Sequence, residues 1–223
     1  MKLNIIDNGT KEYGAMLTEQ REIFNTMVAR KKEGLPIDEE FILLVEHYPV
    51  ITLGRHAKES NVLFNHDELS HRGIGLFHIE RGGDVTFHGP GQLVAYPILD
   101  LENHHIGIKD YVALLEEAVI LTLDDFGIKG GRIKGASGVW LGIGTERERK
   151  ICALGVKCSR FITMHGLALN VNTDLSGFRF INPCGFIDKG VSSMAAEVGH
   201  PIDMNEVKKC LSNHFMALLS IRP

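Results

Sequence analysis

Four cysteines stand in this 223-residue chain, at Cys152, Cys158, Cys184 and Cys210. Only one of them has neighbours that keep a sulfur within reach of a ligand. Cys184 sits in Asn182-Pro183-Cys184-Gly185, a turn-like stretch after a run of short strands. Cys152 lies in apolar strand sequence and Cys210 on the expected inner face of the last helix, where a thiol packs as a small hydrophobe. Cys158 is ambiguous and could be at the surface. A thiol attacks as its thiolate, which needs a cation, a base or a helix N-terminus beside it. Lys150, Lys157, Arg81, His88 and His165 could each supply that help, and the order of residues leaves open which is near in space. A Cys-His-Asn hydrolase with His88 or His165 as base is one reading; no local protease signature surrounds Cys184.

A second candidate is the run Arg81-Gly82-Gly83-Asp84-Val85-Thr86-Phe87-His88-Gly89-Pro90-Gly91-Gln92. Glycine lets a ligand approach the backbone and proline fixes φ, so a binding loop held between strands 74–79 and 93–101 is expected. The plainer alternative is a tight bulged hairpin. The glycines do not form G-x-x-x-x-G-K-[ST], nor G-x-G-x-x-G at a strand-to-helix junction, so a P-loop and a dinucleotide fingerprint are excluded. His56, His66 and His71 lack Cys or carboxylate partners at ligand spacing and are read as surface or structural residues, with no metal.

These residues need a scaffold. Leu3–Ile6 reads as a short strand. A helix from Lys11 to Lys32 follows, with Thr10 as N-cap, Gly34-Leu35-Pro36 as its stop, and Met16, Ile23, Phe24, Met27 and Val28 at helical spacing. Phe41–Glu46 is too short and apolar for a surface helix and reads as a buried strand, resumed after Pro49 by Val50–Leu53. Ile108–Phe126 is an amphipathic helix with Ile108, Tyr111, Val112, Leu115, Val119 and Thr122 on one face and Gly127 as its stop. Strands are expected at Ser137–Ile143, Lys150–Val156 and Met164–Val171. A closing helix, Asn205–Leu219, turns Val207, Cys210, Leu211, Phe215 and Leu218 inward. Such mixed order suggests an α+β (mixed α/β) fold, and the length suits a single domain over 1–223.

With a formal net charge of −4 and no Lys/Arg run, nucleic acid is not an expected partner. No apolar stretch is long enough to span a membrane, and Asp7 interrupts any signal-type segment, so a cytoplasmic location with reduced thiols is expected.

Taken together, four blocks carry a resemblance that none carries alone. The 81–92 run closely resembles the signature of the lipoyl(octanoyl) transferase family. Lys150-Ile151-Cys152-Ala153-Leu154-Gly155 looks like its lysine block, and Met164-His165-Gly166-Leu167-Ala168-Leu169-Asn170-Val171 with Asn182-Pro183-Cys184-Gly185 like its later blocks. Order and spacing agree over nearly the whole chain; Asp84 stands at a variable position, and a turn expected at 157–160 is loosely specified. The resemblance implies a biotin/lipoate protein ligase-like catalytic fold. It implies transfer of an octanoyl group from octanoyl-acyl carrier protein, through a cysteine acyl-thioester, to a lysine of lipoyl domains. The acceptors would be 2-oxo-acid dehydrogenase E2 subunits and the glycine-cleavage H protein, with no ATP, metal or other cofactor, and a monomer is expected. By position, Cys184 would be the nucleophile and Lys150 its activating partner. Arg81, Gly82, Gly83, Asp84, Val85, Thr86, Phe87, His88, Ala153, Leu154, Gly155, Gly166, Leu167 and Ala168 would line the acyl site, with His165 in support. The alternatives are an ATP-dependent lipoate or biotin ligase on the same fold, and an acyl-binding protein without catalysis.

Overall fold

A computed structural model of the chain describes residues 2–182 and 190–220. Its strands are β1 (Lys2–Lys11), β2 (Glu39–His47), β3 (Val50–Leu53), β4 (Gly75–His78), β5 (Val85–His88), β6 (Gln92–Ile98), β7 (Gly131–Ile133), β8 (Ala136–Leu141), β9 (Arg149–Ser159), β10 (Ile162–Asn170) and β11 (Gly190–Val191). The helices are α1 (Tyr13–Lys32), α2 (His66–His71), α3 (Ile108–Asp125), α4 (Met194–Val198) and α5 (Met204–Ser220). The large sheet runs β1-β2-β6-β10-β9-β8-β7, with β11 added beside β9; β4-β3-β5 form a small second sheet.

Alternation along the central strands separates two cores. On β2, Ile42 and Leu44 face α3 and α5, where Tyr111, Leu115, Val119, Leu211 and Phe215 meet them. Leu43 and Val45 face the opposite way, onto Tyr13, Met16, Leu17, Phe24 and Met27 of α1. Neighbouring side chains of a strand point to opposite faces, and both faces here are covered, which explains why 41–46 reads as continuously apolar. A third core, built on Ile51, Leu53, Val85 and Phe87, lies under the small sheet. β1 pairs β2 in parallel, a connection that needs a crossover, and α1 supplies it.

Several expectations are corrected. The first strand runs to Lys11, so Thr10 is paired in the sheet opposite Glu46 and does not cap α1; Glu12 precedes the helix with no side-chain cap. The 81–92 run is not a loop between two neighbouring strands. It contains β5, which pairs with β3 in the small sheet, while the strands before and after it belong to different sheets. A four-residue strand flanked by glycines gives too short a pattern to be seen. The polar stretch 55–73 holds α2, started by a reciprocal capping box between Asn65 and Glu68. Ile108 is exposed, and Leu114, Ala118 and Leu123 are buried in its stead on α3. On α5, Leu219 is buried and was not foreseen, Leu218 packs partly buried against the same core as expected, and Cys210 is only half-buried. The turn expected at 157–160 begins later: β9 continues to Ser159, and Arg160 and Phe161 turn the chain with positive φ.

Candidate active site

Between the two sheets lies a cavity. Its large-sheet wall is Val94 and Tyr96 of β6, Ala153, Leu154 and Gly155 of β9, and Gly166, Leu167, Ala168 and Asn170 of β10. Arg81, Gly83, Asp84, Val85, Thr86 and His88 form the opposite wall, with Tyr13 of α1, and Lys150 and His165 also line it. The structure thus brings three sequence-distant blocks to one place. Cys184 lies outside the described residues. On either side of its segment, the Asn182 N–H donates to the carbonyl of Asn61 at 2.8 Å, and Val191 pairs with Lys150 on β9.

Glycines make the large-sheet wall thin. Gly155 and Gly166 are direct partners across β9 and β10. A Cβ on Gly166 would fall 2.1 Å from the Ala95 carbonyl oxygen, and one on Gly155 would fall 2.8 Å from Cδ of Arg81. The Arg81 side chain therefore lies directly over Gly155.

Two of the residues expected in the lining are elsewhere. Phe87 turns away into the third core, edge-on to Phe178 with ring centroids 5.6 Å apart. Gly82 is a tether: its N–H donates to the Val156 carbonyl at 2.9 Å, fastening the loop to β9. Asp84 braces the turn, accepting from the Val85 N–H at 2.8 Å and the Asn61 amide at 2.7 Å. Tyr13, Gln92, Val94, Tyr96, Ser137, Asn170, Phe178 and Val191 join the lining unforeseen. Gln92 and Asn170 stand inside the quoted blocks, so the blocks themselves carried that signal; Tyr13 carried none, because α1 reaches the cavity only through tertiary packing.

Lys150 is half-buried, with its ammonium 4.6 Å from the centroid of the Trp140 ring, a cation–π distance. Gly138, at φ 113°, leaves room for the lysine stem: a Cβ there would meet Lys150 Cε at 3.4 Å and the Cys152 carbonyl oxygen at 2.5 Å. Cys152 itself is fully buried, and burial pushes its thiol far above the usual thiol range, so it stays protonated and packs.

A directed hydrogen-bond chain crosses the cavity wall. The Gln92 amide nitrogen donates to the Phe87 carbonyl at 3.1 Å and to Asn170 Oδ1 at 2.9 Å. Both of its protons are spent, so its Oε1 must accept, and His88 Nδ1 is the donor at 2.8 Å. His88 Nε2 is then an acceptor facing the Thr52 hydroxyl at 3.4 Å. Thr52 Oγ1 in turn accepts from Arg81 Nη2 at 2.9 Å. At the far end, the Asn170 amide donates to the Ser192 carbonyl at 3.0 Å. The chain fixes the His88 tautomer and holds Arg81 over the cavity. In the Gln92→Leu protein, His88 Nδ1, the Phe87 carbonyl and Asn170 Oδ1 all lose their partner at once. Unfolding free energy should fall by about 3 kcal/mol or more, read from urea denaturation; a loss under about 1 kcal/mol would contradict the chain.

Three histidines here are held neutral. Burial drops His47 to about 4, His88 to about 3 and His165 to about 3. Their unfolded values lie near 6.5. Below that pH the unfolded chain takes up protons that the folded chain refuses, so the stabilisation is complete above about 6.5 and is lost on acidification toward 4 and below. Each fully engaged histidine contributes up to about 1.4 kcal/mol per pH unit. Urea midpoints at pH 7, 6 and 5 should therefore fall with steepening slope, exceeding two protons per molecule by pH 5, before carboxylates titrate. A flat profile would show that these rings are solvated.

Residues 16–216 match the family model for the lipoyl protein ligase A/B catalytic domain. An octanoyltransferase of Bacteroides thetaiotaomicron is 51% identical over 220 residues, covering 99% of this chain and 96% of that protein. The chain belongs to the octanoyltransferase family. Its fold is that of the lipoate and biotin protein ligases. A bi-partite lipoate protein ligase from Thermoplasma acidophilum has a TM-score of 0.71 at 17% identity, covering 98% of this chain and 83% of that one. The biotin protein ligase of Aquifex aeolicus has a TM-score of 0.53 at 13% identity, covering 98% and 69%. As a member of the octanoyltransferase family the protein is an acyltransferase. Among its described residues, no helix is long and apolar enough to cross a membrane.

Proposed function

We propose that this octanoyltransferase-family protein takes its octanoyl group from acyl carrier protein, holds it as a thioester on Cys184, and delivers it to a lysine of a lipoyl domain, with residues 1–223 acting as one catalytic unit. The observation that carries the reading is the cavity itself, an apolar slot between two sheets with Lys150 among its lining residues. An eight-carbon chain needs such a slot, and the facing glycines let it lie against backbone. A thioester donor suits a thiol nucleophile, because exchange between thioesters is nearly thermoneutral and calls for no ATP. The later amide bond is downhill. In this reading the Lys150 ammonium stabilises the Cys184 thiolate, and the amine form later accepts a proton from the incoming lysine.

The acceptors would be lipoyl domains of 2-oxo-acid dehydrogenase E2 subunits and the glycine-cleavage H protein. Support comes from the lipoylation system of Thermoplasma acidophilum, where the ligase of similar fold was described with its E2 lipoyl domain. The test is turnover. Octanoyl-acyl carrier protein plus an apo-lipoyl domain should give an octanoylated acceptor by intact-mass spectrometry, without ATP. Free octanoate plus ATP should not. Product only in the ATP arm would convert the reading to that of a ligase.

A further inference from the structure

By the alternation of its strand, Lys150 should not reach the cavity. Across β9 and β10, Leu154 pairs with Leu167 and Cys152 with Leu169, and all four pack in the core under α3 and α5. Ala153 and Gly155, paired with Ala168 and Gly166, line the cavity on the other face. Strict alternation would send Lys150 the way of Cys152 and Leu154, into apolar surroundings. It lines the cavity because β9 carries one residue too many. Val139 of β8 pairs with Cys152, and the next residue, Trp140, pairs with Lys150, so Ile151 has no opposite residue on β8. Ile151 is buried in the helix-side core, and Lys150 is turned onto the Trp140 ring. A β-bulge can re-aim a side chain, and here it aims the lysine.

The bulge is held from behind. Gly138 of β8 lies against it, where any Cβ would meet the Cys152 carbonyl oxygen and the lysine stem. Its N–H is taken by a side chain from α3: Glu116 Oε1 accepts it at 3.0 Å. Glu116 is 7% exposed, and its other oxygen accepts from Arg132 Nε at 3.0 Å. Glutamate is rarely buried unless paired, and both oxygens of this one are engaged. Glu116 does not itself line the cavity. We propose that Glu116 is a positioning residue for acyl transfer: by holding the Gly138 N–H it fixes β8 against the bulge and keeps Lys150 on the cavity face. It acts through the reach of its oxygen, and Arg132 is its counter-ion. This rests on the reading of Lys150 as the partner of Cys184, and adds to that site a residue from the opposite side of the sheet.

Two variants close in size separate reach from charge. Glu116→Gln keeps an oxygen for Gly138 and loses the charge, whereas Glu116→Asp keeps the charge and draws it back by about 1.5 Å. Trp140 is the single tryptophan of the chain. The difference in its emission between the native protein and Lys150→Ala therefore reads the ammonium on its ring. Glu116→Gln should keep that signature, and Glu116→Asp should lose most of it. With octanoyl-acyl carrier protein, the acylation rate constant should stay within about 3-fold in the Gln variant and fall by about 10-fold or more in the Asp variant, with the donor KM little changed in both. Leu114→Ala, which opens a cavity in the core beside the same helix, should lower the urea midpoint and leave emission and acylation rate unmoved. A Gln variant no better than Asp, an Asp variant indistinguishable from native, or an equal emission change in Leu114→Ala overturns the inference. So does a native emission identical to that of Lys150→Ala, which would take the ammonium off the ring. Failure of the native protein to transfer octanoyl would instead refute the proposed function, and the emission series would still decide whether Glu116 places Lys150.

Discussion

In the Cys184→Ala protein, incubation with octanoyl-acyl carrier protein leaves the intact mass unchanged, and transfer to a lipoyl domain falls by about 10⁴-fold or more. The size of the loss follows from the proposed chemistry. Without the thiol there is no covalent intermediate, and the acceptor amine would have to attack the donor thioester directly, with the two carrier domains brought to one cavity mouth at once. Removing a nucleophile has cost other covalent enzymes on the order of 10⁶ in kcat, with the remainder supplied by binding alone. Cys152, Cys158 and Cys210 remain in the variant as an internal control. Cys152 is buried with its thiol held protonated, and neither Cys158 nor Cys210 lines the cavity. An octanoyl adduct persisting in Cys184→Ala would move the nucleophile to another residue.

The second large effect is at Lys150, and two substitutions divide its roles. Lys150→Ala removes the cation and the proton acceptor together, so both the appearance of acyl-enzyme and the delivery to acceptor should slow by about 10²–10⁴-fold. Lys150→Arg keeps a cation, but a guanidinium cannot be deprotonated in a protein. Acylation should then survive to within about 10-fold, while delivery to the acceptor lysine remains slow. Rapid-quench mass spectrometry separates the two steps. Delivery as fast as acylation in the Arg variant would mean that the proton-accepting form is not used, and equal loss of both steps would mean that the geometry of the lysine on Trp140 is what matters.

Much of this arrangement was legible in the chain, and the parts that were not share a cause. Buried strands such as 41–46 announce themselves, because a strand covered on both faces can carry few polar residues. Lys150, Ala153–Gly155 and Gly166–Ala168 lie where the quoted blocks implied, along one wall of the cavity. Phe87 lies outside the cavity because its side chain packs into the small sheet's core, whereas Thr86 and His88 on the other face of β5, and Val85 at its start, line the cavity. Tyr13 was invisible because it reaches the cavity only after α1 folds across the large sheet. The roles of the histidines were equally hidden, since a tautomer depends on partners from four separate elements. Cys184 and its immediate neighbours fall outside the described residues, and its proposed role is carried by the sequence pattern.

The chain of donors from Arg81 through Thr52, His88, Gln92 and Asn170 to Ser192 also bears on how such a protein can drift over generations. Each link has a fixed polarity. A glutamate at position 92 would have no protons for Phe87 or Asn170, and an aspartate at 170 would have none for Ser192. No member can be exchanged for a residue of opposite hydrogen-bonding character unless its neighbour reverses too. The five side chains, four of them on β3, β5, β6 and β10 and Arg81 in the segment before β5, are therefore inherited as a single unit, and substitutions among them should be found in matched sets or not at all.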